Sequence, residues 1–215
     1  MSRGYTIKEI YYTLQGEGFH TGRPAVFLRF AGCNLWSGLE KHRSTAICDF
    51  CDTDFVGVDG PGGGKFGTAE HLAAEVVGVW DQSGTNREDR FTVLTGGEPL
   101  LQLDAPLIAA LHEVGFEIAI ETNGTITAPP KLDWICVSPK AKAEFVQRSG
   151  NELKLIFPQQ GMDPADYTDL PFDHFFLQPM DGPDTARNTE TVRDYCDSHS
   201  QWKVSIQTHK ILGIP

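Results

Sequence analysis

Seven short runs of branched and aromatic residues recur along the chain, separated by segments with room for a loop or a single helix. They are 25–30 (AVFLRF), 91–94 (FTVL), 116–120 (FEIAI), 134–137 (WICV), 153–157 (LKLIF), 174–177 (HFFL) and 203–206 (KVSI). Runs of this make-up and length predict buried strands. Helical periodicity is convincing over 68–82, 104–114 and 185–198, each opening on a residue suited to a cap. Thr68, and Asp104 followed by Ala105 and Pro106, are the clearest starts. Strand, helix, strand in alternation predicts a parallel sheet with right-handed crossovers. The crossovers shrink, however: GTITAPPKLD, before the run at 134, is too short and proline-rich for a full helix. About six parallel strands with about three helices predict an α/β fold of the partial, incomplete TIM-like barrel kind, since a full eightfold barrel needs ~250 residues. A doubly wound open sheet is the structural alternative.

At 215 residues the chain is read as a single domain over 1–215. Hydrophobic residues make up 40% of it, too many for a disordered chain. The opening MSRGYTIKEI has no apolar leader stretch, and no run is long enough to span a bilayer, so a cytoplasmic protein without a membrane partner is expected. Basic residues number 18 against 29 acidic ones, a net charge of -11 that repels a polyphosphate backbone and argues against direct nucleic-acid binding. A small anionic ligand remains compatible, because a local cation in a cleft overrides the global field.

The segments at the strand ends are more informative than the strands themselves. AGC, TGGEP, ETNG, SPK, QPMD and QTHK come directly after six of the seven runs. Turns account for Gly and Pro, but not for Glu, Lys, Asp, Gln and His at so many ends. In barrels and open α/β sheets alike, ligands bind at the carboxyl ends of the strands, so these loops are expected to converge on one mouth.

Five cysteines is an odd number, and a cytosolic chain keeps its thiols reduced, so metal ligation is a better reading than disulfides. Cys33, Cys48 and Cys51 fall in AGCNLWSGLEKHRSTAICDFCDTDF, an expanded loop over 33–51. The Cys-x2-Cys pair plus the earlier cysteine offers three soft ligands. Structural zinc needs a fourth, for which His42 is at hand; a four-iron cluster on three thiolates instead leaves one iron open. A thiol redox pair at Cys48 and Cys51, or plain packing, leaves the third cysteine unexplained. Cys136 and Cys196 fit packing.

Three cysteines after the first strand and GGEP after the second resemble the radical S-adenosylmethionine superfamily. The Cys-x14-Cys-x2-Cys spacing departs from its commoner Cys-x3-Cys-x2-Cys and resembles the 7-carboxy-7-deazaguanine synthases. TLQGEG, FLRFAGCN, CDFCDTDF, LTGGEPLLQ, ETNGT, VSPK, LQPMDG and the terminal Pro215 extend that resemblance along nearly the whole chain. It implies a 4Fe-4S cluster on Cys33, Cys48 and Cys51, with S-adenosylmethionine contacted by Gly97, by Ser138, Pro139 and Lys140, and by Gln178, Pro179, Met180 and Asp181. Gly97 approaches the cofactor through its backbone, where a Cβ would obstruct. It implies a pterin substrate on Leu14, Gln15, Gly16, Arg29, Thr95 and the carboxylate of Pro215, with Glu17 and His209 as weaker additions. Thr53 is implied as the oxygen ligand of a Mg2+ ion, a hard cation content with few protein ligands.

The implied reaction is radical ring contraction of 6-carboxy-5,6,7,8-tetrahydropterin to 7-carboxy-7-deazaguanine with release of ammonia, in queuosine and 7-deazapurine biosynthesis. No general base is assigned. The resemblance further implies an electron donor of flavodoxin or ferredoxin type and admits a homodimer. A glycyl-radical activating enzyme and a non-enzymatic iron–sulfur or zinc regulatory module are the alternatives, the first disfavoured by its shorter cysteine spacing. Arg29 supports an anionic ligand independently: a guanidinium interrupting an apolar strand needs an anionic partner, either a substrate carboxylate or an internal one such as Glu121 or Glu98. DGPGGGKFG around Lys65 lacks the Ser or Thr of a phosphate loop and reads as a flexible connection. QGEGFHTG misses the dinucleotide fingerprint by one residue.

Overall fold

The computed structural model describes residues 4–215. Met1, Ser2 and Arg3, part of the N-terminal stretch read for a leader, lie outside the described residues. In chain order the elements are β1 (Tyr5–Leu14), β2 (Pro24–Phe30), β3 (Gly64–Phe66), α1 (Ala69–Gln82), β4 (Phe91–Gly96), α2 (Ala105–Glu113), β5 (Glu117–Thr122), β6 (Trp134–Val137), β7 (Gly150–Phe157), β8 (Phe172–Pro179), α3 (Thr185–Ser198), β9 (Trp202–Val204) and α4 (Thr208–Leu212). One sheet holds every strand in the order β3-β1-β2-β4-β5-β6-β7-β8-β9. From β2 to β9 all neighbours are parallel, with β2 pairing directly to β4. The order advances in one direction without the reversal that defines a doubly wound sheet. The two ends do not meet, so the fold is an unclosed barrel, as expected from the strand count.

Two strands went unpredicted. β1 pairs antiparallel with β2 and with β3. The glycine-rich stretch before Lys65 is therefore no flexible connection: it ends in β3, and a Cβ on Gly63 would come within 2.3 Å of the Lys8 carbonyl oxygen, so glycine lets this segment lie against β1. The predicted helices form at their predicted places. Thr68 accepts from the His71 amide and Asp104 from the Leu107 amide, satisfying first-turn donors. α3 begins at Thr185 without a side-chain cap. The QTHK segment, expected as a loop, forms the start of α4.

Strand alternation sorts the residues onto two faces. Val26, Leu28, Phe30, Leu94, Ile118 and Ile120 face outward and pack under Leu72, Val76 and Trp80 of α1 and Leu107, Ile108 and Leu111 of α2. Further along, Leu153, Leu155 and Leu177 pack with Val192 of α3 and Trp202. The inner face is mainly apolar at the strand starts, where Ala25, Phe91, Val93 and Ala119 cluster. There the loop after β1 plugs the interior: Phe19 stacks on His174 (4.3 Å) and Trp134 (4.9 Å), and His20 lies against Trp134 and Phe91. Above this floor Arg29, Thr95, Glu121, Lys154 and Gln178 line open cavities, so the accessible interior lies toward the carboxyl ends of the strands. Among the described residues no helix is long and apolar enough to cross a membrane.

Candidate active site

Local backbone chemistry brings the strand-end loops together. Gly97 sits so tightly against the AGC loop that a Cβ would come within 2.1 Å of the Gly32 carbonyl oxygen and 2.7 Å of the Cys33 Cβ. Only glycine tolerates that approach. Glu98, fully buried, accepts from the Leu100 amide (2.9 Å), the Asn123 amide (2.8 Å) and the Thr122 hydroxyl (2.9 Å), tying the TGGEP loop to ETNG. Burial pushes its carboxyl up, and these donors pull against that rise. Asn123 donates to Asn34 Oδ1 at 3.0 Å, which links ETNG in turn to the residue after Cys33.

Cys33, Cys48 and Cys51 line one cavity. The Cys51 thiol is pulled down to about 6, chiefly by a hydrogen bond from Cys48 and also by Thr53. Cys48 moves up, because it gives that bond and is buried. No histidine or fourth cysteine lines this cavity among the described residues. His42, the potential fourth zinc ligand, is exposed and shares a 2.8 Å hydrogen bond with the Ser37 hydroxyl instead. Among the described residues no three His, Cys, Asp or Glu side chains converge tightly enough to hold a single metal ion. Thiolates bound to separate corners of a cluster need no such convergence. Three soft sulfurs beside a glycine cradle are a donor set that fits a four-iron cluster with one open iron.

The same cavity is lined by Thr53, Thr95, Gly97, Ser138, Lys140, Gln178, Pro179 and Asp181. Pro139 and Met180 do not line it; the Met180 amide donates to the Phe157 carbonyl at 2.9 Å. Lys140 bonds the carbonyl and hydroxyl of Ser138, both at 2.7 Å, and burial lowers its ammonium pKa. Cys136 is buried in β6 and lines neither cavity.

A second cavity adjoins the first. It is lined by Leu14, Gln15, Gly16, Arg29, His209 and Pro215, and it shares Glu17, Thr53, Thr95 and Glu121 with its neighbour. Arg29 has an internal partner, but neither of the two expected: Nε donates to Glu9 Oε1 and Nη2 to the Tyr11 hydroxyl, both at 2.7 Å. Both partners come from β1, the strand not foreseen. The guanidinium still lines the cavity, so the internal pair and a ligand contact are compatible.

Sequence reasoning missed the charge cluster at the cavities' base. Lys154, its side chain 4% exposed, donates to Glu17 Oε2 at 2.7 Å and Glu121 Oε2 at 2.8 Å. Gln15 donates to the other oxygen of Glu121 and Gln207 to that of Glu17. Lys154 holds the Glu17 carboxyl at about 2 against the opposing effect of burial. Glu152, on the same inner face, accepts from the Phe19 amide at 3.2 Å, and burial raises it to about 7. The signal was present in NELKLIF, where Glu152 and Lys154 interrupt an apolar strand as Arg29 does.

No family model matches the chain. Among curated proteins, it is 61% identical over 211 residues to the 7-carboxy-7-deazaguanine synthase of Caulobacter vibrioides, covering 98% of this chain and 99% of that protein. The chain belongs to the 7-carboxy-7-deazaguanine synthases. The Burkholderia multivorans member of this family is 57% identical with the same coverage, and the Synechocystis member 30% identical over 98% of this chain and 93% of its own. A solved structure, that of QueE from Escherichia coli, superposes with a TM-score of 0.66 at 27% identity, covering 95% of this chain and 94% of its own. The unclosed barrel is thus shared by this chain and that solved structure.

Proposed function

We propose that this chain is a radical S-adenosylmethionine lyase that converts 6-carboxy-5,6,7,8-tetrahydropterin to 7-carboxy-7-deazaguanine and ammonia, a step of queuosine biosynthesis. One observation carries the assignment: a cavity lined by three cysteines shares a wall with a cavity lined by Arg29, Gln15, Glu121 and Pro215. A radical generated in the first therefore has a short path to a substrate in the second. Cys33, Cys48 and Cys51 would hold the 4Fe-4S cluster. Gly97, Ser138, Lys140 and the loop Gln178–Asp181 would hold S-adenosylmethionine. Thr53, on the shared wall, would offer its hydroxyl to Mg2+. When bound, cluster and S-adenosylmethionine supply a carbon-centred radical that takes hydrogen from the substrate.

The protein's own contribution is placement and exclusion. Arg29, already neutralised in part by Glu9, would orient the substrate carboxylate. Glu121 and Gln15, bonded to each other, offer an acceptor and a carbonyl oxygen to the donor-rich edge of a pterin. The Phe19 and Trp134 floor closes the interior from below, keeping water and stray hydrogen donors out. Substrate and products differ by one ammonia and balance without a net oxidant, so the residues need only hold the carbon skeleton while it rearranges. A small-molecule pterin is the partner; a flavodoxin or ferredoxin donor and a homodimer remain part of this proposal.

The test is anaerobic reconstitution. About four irons per chain and reductive cleavage of S-adenosylmethionine are expected. Cys33→Ala, Cys48→Ala and Cys51→Ala should each abolish both, while Cys136→Ala and Cys196→Ala retain both. One equivalent of zinc with no reductive cleavage would refute the proposal in favour of a regulatory metal module.

A further inference from the structure

Helix α4 and the tail behind it carry His209, Lys210 and Pro215 to the second cavity. Yet none of the helix's residues is buried, and Ile211 and Leu212 are 74% and 62% exposed. A five-residue helix cannot sustain itself, and apolar packing does not fix this one. What holds it is polar. Thr208 donates to the Gly16 carbonyl through its amide (2.9 Å) and its hydroxyl (2.8 Å), and Thr13 Oγ1 donates to the Pro215 carbonyl at 2.7 Å. Between these anchors the Lys210 ammonium binds both Asp52 and Asp181. Asp52 lies between Cys51 and Thr53, and Asp181 ends the QPMD loop. A single cation thus joins three chain segments that line two cavities.

We propose that Lys210 is a positioning residue: it latches the C-terminal helix, and with it Pro215, over the substrate cavity by pinning the helix to Asp52 of the cysteine loop and Asp181 of the cofactor-facing loop. This rests on the assignment of that cavity to the pterin. The side chain is 38% exposed, so each ion pair alone is weak. Its effect comes from sharing: without the ammonium, two carboxylates face one another across the gap, and the helix keeps its end anchors and the Gln207 bonds to Glu17 (3.0 Å) and Asp52 (3.5 Å) but loses its tie to Asp181. The chemical step does not involve Lys210, so its loss should reach substrate affinity and leave the rate constant at saturation.

Lys210→Met and Lys210→Arg test this in two arms. In the full chain as purified, amide hydrogen exchange over residues 209–212 should be about tenfold faster in the Met variant and near wild type in the Arg variant. In the reconstituted enzyme, the Met variant should raise KM for the carboxytetrahydropterin about 5-fold, with kcat within about twofold and iron content unchanged, and Arg should rescue it. Unchanged exchange in the Met variant overturns the latch, as does faster exchange with an unchanged KM or a fall in kcat alone. Should the wild type fail to turn over the pterin, the functional assignment falls on its own and the exchange arm decides the latch.

Discussion

Lys154→Met removes the only cation that touches Glu17 and Glu121 among the described residues. Lys154, helped by hydrogen bonds from Gln207 and Gln178, holds the Glu17 carboxyl at about 2 against burial, rather than at its ordinary 4.5, a difference of roughly 3 kcal/mol of net attraction. Glu17 keeps 19% of its side chain exposed, and solvent screening trims that figure to about 2 kcal/mol. Glu121 is stranded as well, and breaking a buried pair by deleting one partner costs about 3–5 kcal/mol. We therefore expect the variant to lose about 3 kcal/mol at pH 7.5 in urea titrations. The pH dependence identifies the cause. A carboxyl whose folded pKa is depressed contributes stability that is fully present above its unfolded pKa of about 4.5 and is lost as pH falls through about 2. The gap between wild type and variant should thus shrink as the titration is repeated at progressively lower pH. A loss below about 1 kcal/mol, or one independent of pH, would refute the reasoning.

Other perturbations probe the remaining parts. Gly97→Ala would drive a methyl group into the Gly32 carbonyl and Cys33, so iron content after reconstitution should fall by half or more, with about 1–3 kcal/mol lost in stability. Glu152→Gln should match wild type near pH 4 and exceed it by about 1–3 kcal/mol at pH 8.5, because the raised carboxyl stabilises the fold fully only below its unfolded value of about 4.5 and loses that contribution as pH climbs through about 7. A constant difference across that range would contradict it. Thr53→Val should leave iron content intact and lower kcat/KM about 10-fold, roughly 1.4 kcal/mol, with a weaker magnesium dependence; unchanged activity would mean the hydroxyl is no ligand.

The parallel sheet was legible because its strands are buried runs, and the loops were legible because turn chemistry alone does not explain Glu98, Asn123 or Lys140 at strand ends. β1 was missed for a physical reason. Lys8 and Glu9 interrupt its apolar pattern, because the first reaches Asp54 and Asp59 and the second pairs Arg29 inside the barrel. Missing β1 also hid the partner of Arg29, a contact set by antiparallel register rather than by sequence distance. Lys154, Glu17 and Glu121 come from three separate segments, and only the curvature of the sheet brings them together. α4 left no hydrophobic signature because it buries nothing.

Ring contraction is tested most directly by anaerobic incubation of the reconstituted protein with 6-carboxy-5,6,7,8-tetrahydropterin, S-adenosylmethionine, Mg2+ and a reductant, with mass analysis and an ammonia assay of the products. One 7-carboxy-7-deazaguanine and one ammonia per pterin consumed are expected. Cleavage of S-adenosylmethionine with the pterin recovered intact would contradict the assignment.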